Sequence, residues 1–482
     1  MTGRLTTTRT FLIVVFLGLF AMAGRNITDP DLWWHLKTGE YIAQHGSVPH
    51  ADPFSYTRAG QPWVAHEWLT DLLLYALHRA TGTAGLIAVF AAILCTAFFF
   101  LYLRCGPDPY VAGVAVLFTA WATMPVWGVR PQVISLLLTS LWLLILERSE
   151  RNSKLLWWTL PLTLLWVNLH AGFALGLALS ALFLLGEGIE LCRDQSARHS
   201  TRLWFAAFIL LLDFLIVPLN PNGARLFVYP VETLRSAAMQ NYIAEWASPN
   251  FHHAEYLPFL LIVLATIAAL AWSRPRLRLR DLVVLLVSLY AGLCSIRMIP
   301  LFAFVAIPVI FRRIGNLRTQ QSRNLRKSVI RPLLNGVIVL AMALFAAIHL
   351  ARVIQHEPQA EAQHFPTRAV AFLETHPPNH IFNHYDWGGY LIWKLYPTTR
   401  VFIDGRADVY GEQFLNQFAD TYQLKDNWRE PLQQWNIDTV LVPPDSALAT
   451  GLRNSLGWTV AYEDSRAIIL KARPQSPRTS AR

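Results

Sequence analysis

About eleven apolar stretches, each long enough or nearly long enough to cross a hydrocarbon core, constrain this chain more than any other feature. They lie near 10–24, 84–103, 110–129, 131–146, 155–169, 171–189, 203–219, 257–273, 282–296, 298–311 and 332–350. Lipid offers no hydrogen-bond partner, so a segment that spans it must satisfy its own backbone, and the stretches are read as helices. Composition agrees. With 54% hydrophobic and only 15% charged residues and a mean hydropathy of +0.34, the chain falls outside the range of an ordinary soluble domain.

The net charge is +10, from 41 Lys and Arg against 31 Asp and Glu. These cations occur as short clusters between apolar stretches rather than on one folded face, so they report topology and not nucleic-acid contact. The clusters are Arg148, Arg151 and Lys154; Arg193, Arg198 and Arg202; Arg274, Arg276, Arg278 and Arg280; and Arg312, Arg313, Arg318, Arg323, Arg326, Lys327 and Arg331. By the positive-inside rule they are cytoplasmic, as is the N-terminus with Arg4 and Arg9. An odd number of spans then leaves 25–83, 220–256 and the tail from 351 outside. The first stretch ends in Ala21-Met22-Ala23, which resembles a signal-peptidase site, but a retained anchor is expected because the loop beyond needs a fixed helix. Cys95, Cys105, Cys192 and Cys294 all fall in apolar stretches or in cytoplasmic loops, so no disulfide framework is expected.

The chain changes character after 350. Pro366 opens a helical pattern, and strand-like runs follow at 380–383, 400–403, 439–442, 458–462 and 467–471, with a helical stretch at 411–424. The expected organisation is a polytopic α-helical membrane domain over 1–350, a small extracytoplasmic α/β domain over 351–473, and a disordered tail at 474–482.

The polar residues that could carry chemistry concentrate on the outer side. The first loop opens Asp29-Pro30-Asp31-Leu32-Trp33-Trp34-His35. Pro after Asp is a helix start, so Asp29 is read as a cap, while Asp31 lies in the first turn with His35 four residues on and on the same face. A carboxylate at the membrane surface can take a proton from an acceptor hydroxyl. The same loop carries a second acid and histidine pair, His66-Glu67, which reads equally well as the polar face of an amphipathic helix. Arg130 and Arg297 sit at outer ends of apolar stretches, in tight turns where a cation is out of place. Either they snorkel or they bind an anion, and a lipid phosphate is the natural anion at that depth. His170 lies in a third tight outer turn, and Glu245, in the second large loop, is a candidate metal ligand or second acid. Asp213, inside a stretch, needs a partner or a proton. In the tail, Asp404-Gly405-Arg406 reads first as a turn, with Asp404 and Arg406 as candidate substrate or metal contacts.

Taken together, the Asp29 to His35 segment, Asn168-Leu169-His170, Asn220-Pro221-Asn222-Gly223 and Asp404-Gly405-Arg406 resemble the bacterial integral-membrane proteins grouped with the GT-C glycosyltransferases. The resemblance implies a GT-C-like fold in the bacterial inner membrane and a sugar donor carried on polyprenyl phosphate. It also implies a first-loop acid as catalytic base, here Asp31, with Asp29 and Glu67 as the other candidates. The acceptor, whether glycan, lipid or protein, is open, as is dependence on a divalent metal. Tyr385-Asp386-Trp387-Gly388-Gly389-Tyr390 is loosely similar to an oligosaccharyltransferase motif but lacks its double tryptophan and its Asp-Tyr-Gly order, so peptide recognition does not carry over. The expected activity is inverting transfer, with donor phosphate near Arg130, Arg297 and His170. The alternatives are a transporter or lipid flippase, which would place its polar groups at the midplane in repeated halves, and a membrane-anchored glycan-binding module, for which the first-loop acids would be dispensable.

The topology is directly measurable. A reporter active only outside the cytoplasm should give signal when fused after residue 350 and none after Arg318; the reverse pattern removes the assignment.

Overall fold

The computed structural model describes residues 5–193, 197–272, 277–321 and 332–473. The expected disorder of 474–482 lies outside the described residues, as do Arg4, Arg274, Arg276, Arg323, Arg326, Lys327 and Arg331. Every apolar stretch carries a helix. Among the described residues, seven helices are long and apolar enough to cross a membrane: Trp68–Arg104, Pro109–Val126, Pro131–Ser149, Phe173–Cys192, Ser200–Leu219, Ala254–Ala271 and Pro332–His364. The other stretches form Thr7–Ala23, Thr159–Leu169, Leu279–Cys294 and Ile299–Gln321. The helix expected from 84 follows a kink at Gly82, whose φ of 65° suits glycine and which separates it from a preceding helix that starts at Trp68.

Two compact units emerge, one comprising Met1–Asn26, Thr81–Val231 and Ile243–Gln355, the other Ile27–Ala80, Glu232–Tyr242 and His356–Arg482. In the first unit, helix starts follow local chemistry. The Asp108 carboxylate accepts from the backbone N–H of Tyr110 at 2.9 Å and of Val111 at 3.1 Å, and Pro109 occupies the position where no donor is needed. Leu279–Cys294 packs on both Phe173–Arg193 and Ile299–Gln321, and the latter packs on Pro109–Thr123. Close approach is built in at Gly186, where a Cβ would stand 2.3 Å from the Arg280 backbone. Several buried polar groups are satisfied internally, as a low-dielectric interior favours. Trp142 donates to Ser180 at 3.0 Å and Trp166 to Ser135 at 2.8 Å. Asp213 accepts from Thr159 at 2.8 Å and Thr163 at 2.6 Å, which supplies the partners its sequence context required.

Some of the basic residues next to the apolar stretches fasten helix ends. Arg280, 2% exposed, is paired with Glu150, with Glu187 at 2.5 Å and with Asp281 at 3.2 Å. Arg104 and Arg312 share Glu147, each at 2.8 Å.

The second unit holds a four-stranded sheet of order β1-β2-β4-β3. Strand β1 (Ile381–Asn383) runs parallel to β2 (Thr439–Val442), with Ile381 opposite Thr439. Antiparallel β4 (Ile468–Ala472) joins β2 to β3 (Trp458–Glu463), which is irregular between Val460 and Tyr462. The run expected as a strand at 400–403 contributes only one bridge, from Val401 to Ser55. The cause is Asn383. Its side-chain amide accepts from the Phe402 N–H at 2.9 Å and donates to the Ile403 carbonyl at 2.8 Å, doing with one side chain what a neighbouring strand would do.

Candidate functional site

In the second unit, Asp29 and Asp31 act in series at the head of the Leu32–His45 helix. The Asp29 carboxylate accepts from the Asp31 N–H at 2.9 Å, and the N-cap position expected for Asp29 is occupied by Asp31, which precedes the helix rather than lying in its first turn. One Asp31 oxygen accepts from the Trp34 indole at 3.1 Å. It also lies against Gly405, where an added Cβ would come within 1.8 Å of it. The Tyr385 hydroxyl donates to the Gly405 carbonyl at 3.3 Å, and burial, with Asp31 and Asp404 nearby, pushes that phenol well above its ordinary pKa. The first loop and the tail's Asp-Gly-Arg segment, singled out separately in the sequence, thus meet at Asp31.

That meeting is fixed from behind by Arg406. Arg406 is 2% exposed; its guanidinium hydrogen-bonds Asp404 at 2.8 and 2.7 Å and is ion-paired with Asp52, from the first loop, at 2.8 Å. The Tyr410 hydroxyl donates to Asp404 at 2.6 Å. Asp52 in turn accepts from the N–H groups of Phe54 at 3.0 Å and Ser55 at 3.1 Å. Burial alone would lower the Arg406 pKa, but Asp404 and Asp52 raise it well above its usual value. Asp404 and Arg406 therefore face the interior of the unit, spent on each other.

His35, one turn beyond Asp31, packs tilted against Trp34 with ring centroids 3.6 Å apart. Its Nδ1 is 2.6 Å from Asp71 and its Nε2 3.5 Å from Glu67, whose other oxygen meets His66 at 2.8 Å. Burial opposes charge on His35, yet Asp71, Glu67 and Asp31 outweigh it and bring its pKa to about 9. His66 moves the same way: burial lowers it, Glu67 and Asp408 raise it more, and the net is upward. Asp71 was not singled out in the sequence. The signal that could have found it is the spacing of Glu67 and Asp71, four apart and bonded backbone to backbone at 3.0 Å. His35, Glu67 and Asp71 each offer a ligand atom within 4.8 Å of the others. With His35 at about 9, its proton has first claim on the ring near neutral pH, so a divalent cation would have to displace it.

The first unit gathers Arg130, Arg297 and Glu245. Arg130 precedes Pro131, which forces extended backbone (φ −154°, ψ 148°) and projects the side chain from the N-terminus of the Pro131–Ser149 helix. A helix N-terminus attracts anions, and Glu245 supplies one. It is paired with Arg130 through both oxygens, the second at 3.0 Å, and lies 3.4 Å from Arg297. Burial would raise the Glu245 pKa, but Arg130 and Arg297 hold it below the usual carboxylate range. The turns bearing Glu245 and Arg297 are joined by the Ile296 N–H to the Ala247 carbonyl at 3.0 Å and by Ser295 to the Glu245 carbonyl at 2.9 Å. His170 belongs to the same unit and is bound to the helix that Arg130 precedes. Its Nδ1 accepts from the Gly172 N–H at 2.9 Å and lies 2.7 Å from Ser135, which favours the Nε2–H tautomer.

No protein-family model matches the sequence, and no curated protein matches it. Solved structures do match. The archaeal oligosaccharyltransferase AglB from Archaeoglobus fulgidus, in complex with an inhibitory peptide and a dolichol-phosphate, aligns at TM-score 0.57 and 11% identity over 90% of this chain and 69% of that one. The same oligosaccharyltransferase tethered to an acceptor peptide gives 0.53 at 11% identity, over 91% of this chain and 69% of that one. ArnT from Cupriavidus metallidurans, bound to undecaprenyl phosphate, gives 0.52 at 12% identity over 96% of this chain and 98% of that one. At such identity the likeness speaks to the fold, and the fold is GT-C-like.

The histidine cluster makes a pH prediction. His35 has a folded pKa of about 9, above the ordinary value of about 6.5 for an unfolded chain. Its contribution, on the order of 3 kcal/mol, is complete below the unfolded value and is lost as pH rises through the folded one. Scanning fluorimetry in detergent should show melting temperature falling across that interval, and His35→Gln should flatten the fall. An unchanged slope in the variant would assign the pH dependence to other groups.

Proposed function

We propose that this chain transfers a sugar from a polyprenyl-phosphate donor to an extracytoplasmic acceptor with inversion, using Asp31 as general base. The observation that carries the reading is Asp31 itself: a carboxylate at the head of the first-loop helix, held by Trp34 and abutting the tail at Gly405. Further support comes from the shared fold, since the matching structures of AglB and ArnT hold dolichol-phosphate and undecaprenyl phosphate. The site is proposed to act in the bacterial inner membrane, with about eleven spans, the N-terminus inside and the 351–473 domain outside.

The chemistry is one displacement. An acceptor hydroxyl oxygen attacks the anomeric carbon while the carbon–oxygen bond to the phosphate breaks, so configuration inverts. The proton leaves to Asp31, and polyprenyl phosphate departs with the bonding pair. Arg130 and Arg297 serve the phosphate, Arg130 with a planar fork suited to two oxygens at once. Asp29 acts by positioning Asp31 through the 2.9 Å bond to its N–H. The His35, Glu67, Asp71 and His66 network stands behind the base and sets the field around it.

Asp31→Asn keeps shape and removes basicity, and should lower turnover about 10²- to 10⁴-fold with donor binding retained. Full activity in Asp31→Asn transfers the role to Asp29 or Glu67, and full activity in all three variants argues against an enzyme. Donor binding supplies a second test. Arg130→Gln and Arg297→Gln should each weaken it by roughly 10- to 100-fold, as expected for a lost charge-assisted bond, with Lys restoring only part. Glu245→Gln should tighten it, because the arginines' resident counter-ion is gone. Unchanged affinity in both arginine variants with reduced protein abundance would make them structural.

A further inference from the structure

The second unit contains a cleft of about 470 Å³ that plays no part in the reading above. It lies along the Ala407–Tyr422 helix and the Glu430–Gln434 helix, with Arg58 of the first loop at its edge. That volume is in the range of small-molecule sites. We propose that this cleft is a carbohydrate-binding site selective for neutral or amino sugars over acidic ones.

Three features of the lining argue for a sugar. Trp435 and the face of Trp428 not covered by Arg429 supply aromatic surface, which suits the C–H faces of pyranose rings, while Phe414 is buried beneath Arg58 and Tyr410. Gln413, Asn416, Gln417 and Asn427 supply side-chain amides, each pairing a donor with an acceptor, the combination that adjacent sugar hydroxyls require. Asp420, Asp426 and Glu430 add carboxylates, which accept strongly from hydroxyl or ammonium groups. The one lining cation, Arg58, is already engaged: it donates to the Tyr410 carbonyl at 2.7 Å and lies 4.7 Å over the Phe414 ring. Two further cations lie nearby: Lys425, paired with Asp420 at 3.1 Å, and Arg429, whose guanidinium covers the Trp428 ring at 4.0 Å. Among the lining side chains themselves three carboxylates stand against one engaged cation, which disfavours uronate, sialate or phosphate. An extended peptide is disfavoured too, because the cleft is lined by helices and their connection and offers no strand edge for backbone pairing.

The connecting backbone fits a built site. Leu424, Asn427 and Asn436 have φ of 57°, 60° and 49°, and among the described residues they are the only non-glycine positions with positive φ. Each such residue carries a conformational cost; Asn427 lines the cleft, and Leu424 and Asn436 flank its lining residues in sequence. If the transfer reading holds, the cleft holds the acceptor glycan; that assignment rests on the transfer reading, whereas sugar binding by itself does not.

The test uses the full chain in detergent, without donor lipid, on a glycan array followed by calorimetric titration with N,N′-diacetylchitobiose, the corresponding glucosamine dimer and digalacturonate. Saturable binding of a neutral or amino glycan is expected, with digalacturonate not bound. Trp428→Ala and the Gln413→Ala, Asn416→Ala pair, which leave Phe414 and Trp435 in place, should weaken it at least tenfold. Asp31→Asn should leave it unchanged. No glycan retained on the array, preference for acidic glycans, or equal affinity in the cleft variants overturns the proposal and leaves the Asp31 chemistry standing. Loss of transfer in Asp31→Asn with glycan binding intact keeps both. In a transfer assay the cleft variants should raise the acceptor KM with kcat preserved.

Discussion

A single buried guanidinium decides the arrangement around the candidate base. Arg406 is removed from water, and an unpaired charge in that position would cost several kcal/mol. It is tolerated because Asp52 and Asp404 approach from two different segments, and because Trp63 and Phe54 cover its faces at 4.6 and 5.1 Å. The same contacts that neutralise the charge bind the first loop to the tail. Gly405, between Asp404 and Arg406 in sequence, is thereby pressed against Asp31, and the carboxylate has a wall on that side.

Secondary elements contribute by where they stop. The Asn383 amide ends the sheet at β1 by taking the backbone groups of 402 and 403 for itself, freeing the following residues to turn as Asp-Gly-Arg. Gly388 makes that turn's approach close, since a Cβ there would stand 2.1 Å from the Ile403 carbonyl oxygen. In the membrane unit, Pro131 both starts a helix and extends the residue before it, and that alone carries Arg130 to a helix end where a cation needs a counter-ion.

Periodicity and apolar length made the helices legible, because burial in lipid leaves few alternatives. The sheet was legible except at 400–403, where β propensity was real but a side chain took the place of a partner strand. Asp31 and His35 were legible from one helical turn of spacing. Asp71 was not, because its meaning depends on a partner 36 positions away, which local pattern does not reveal. The nearness of Arg130 and Arg297 was legible only as a condition. What joins them, Glu245, reads in sequence as one acid in a polar loop, and its role follows from packing. Asp404 and Arg406 read as surface turn residues, yet their charges cancel indoors.

Glu245 gives the membrane unit a resting occupant for its cationic groups. Under the proposed reaction the donor is a phosphodiester with one negative charge, no more than the carboxylate already there, while the departing polyprenyl phosphate is a monoester approaching two. Arginines shared with Glu245 would bind the donor phosphate and gain more by turning to the leaving group as its charge grows. The internal carboxylate would then act as a ballast, tempering attraction to the ground state and letting more of it appear as the bond breaks.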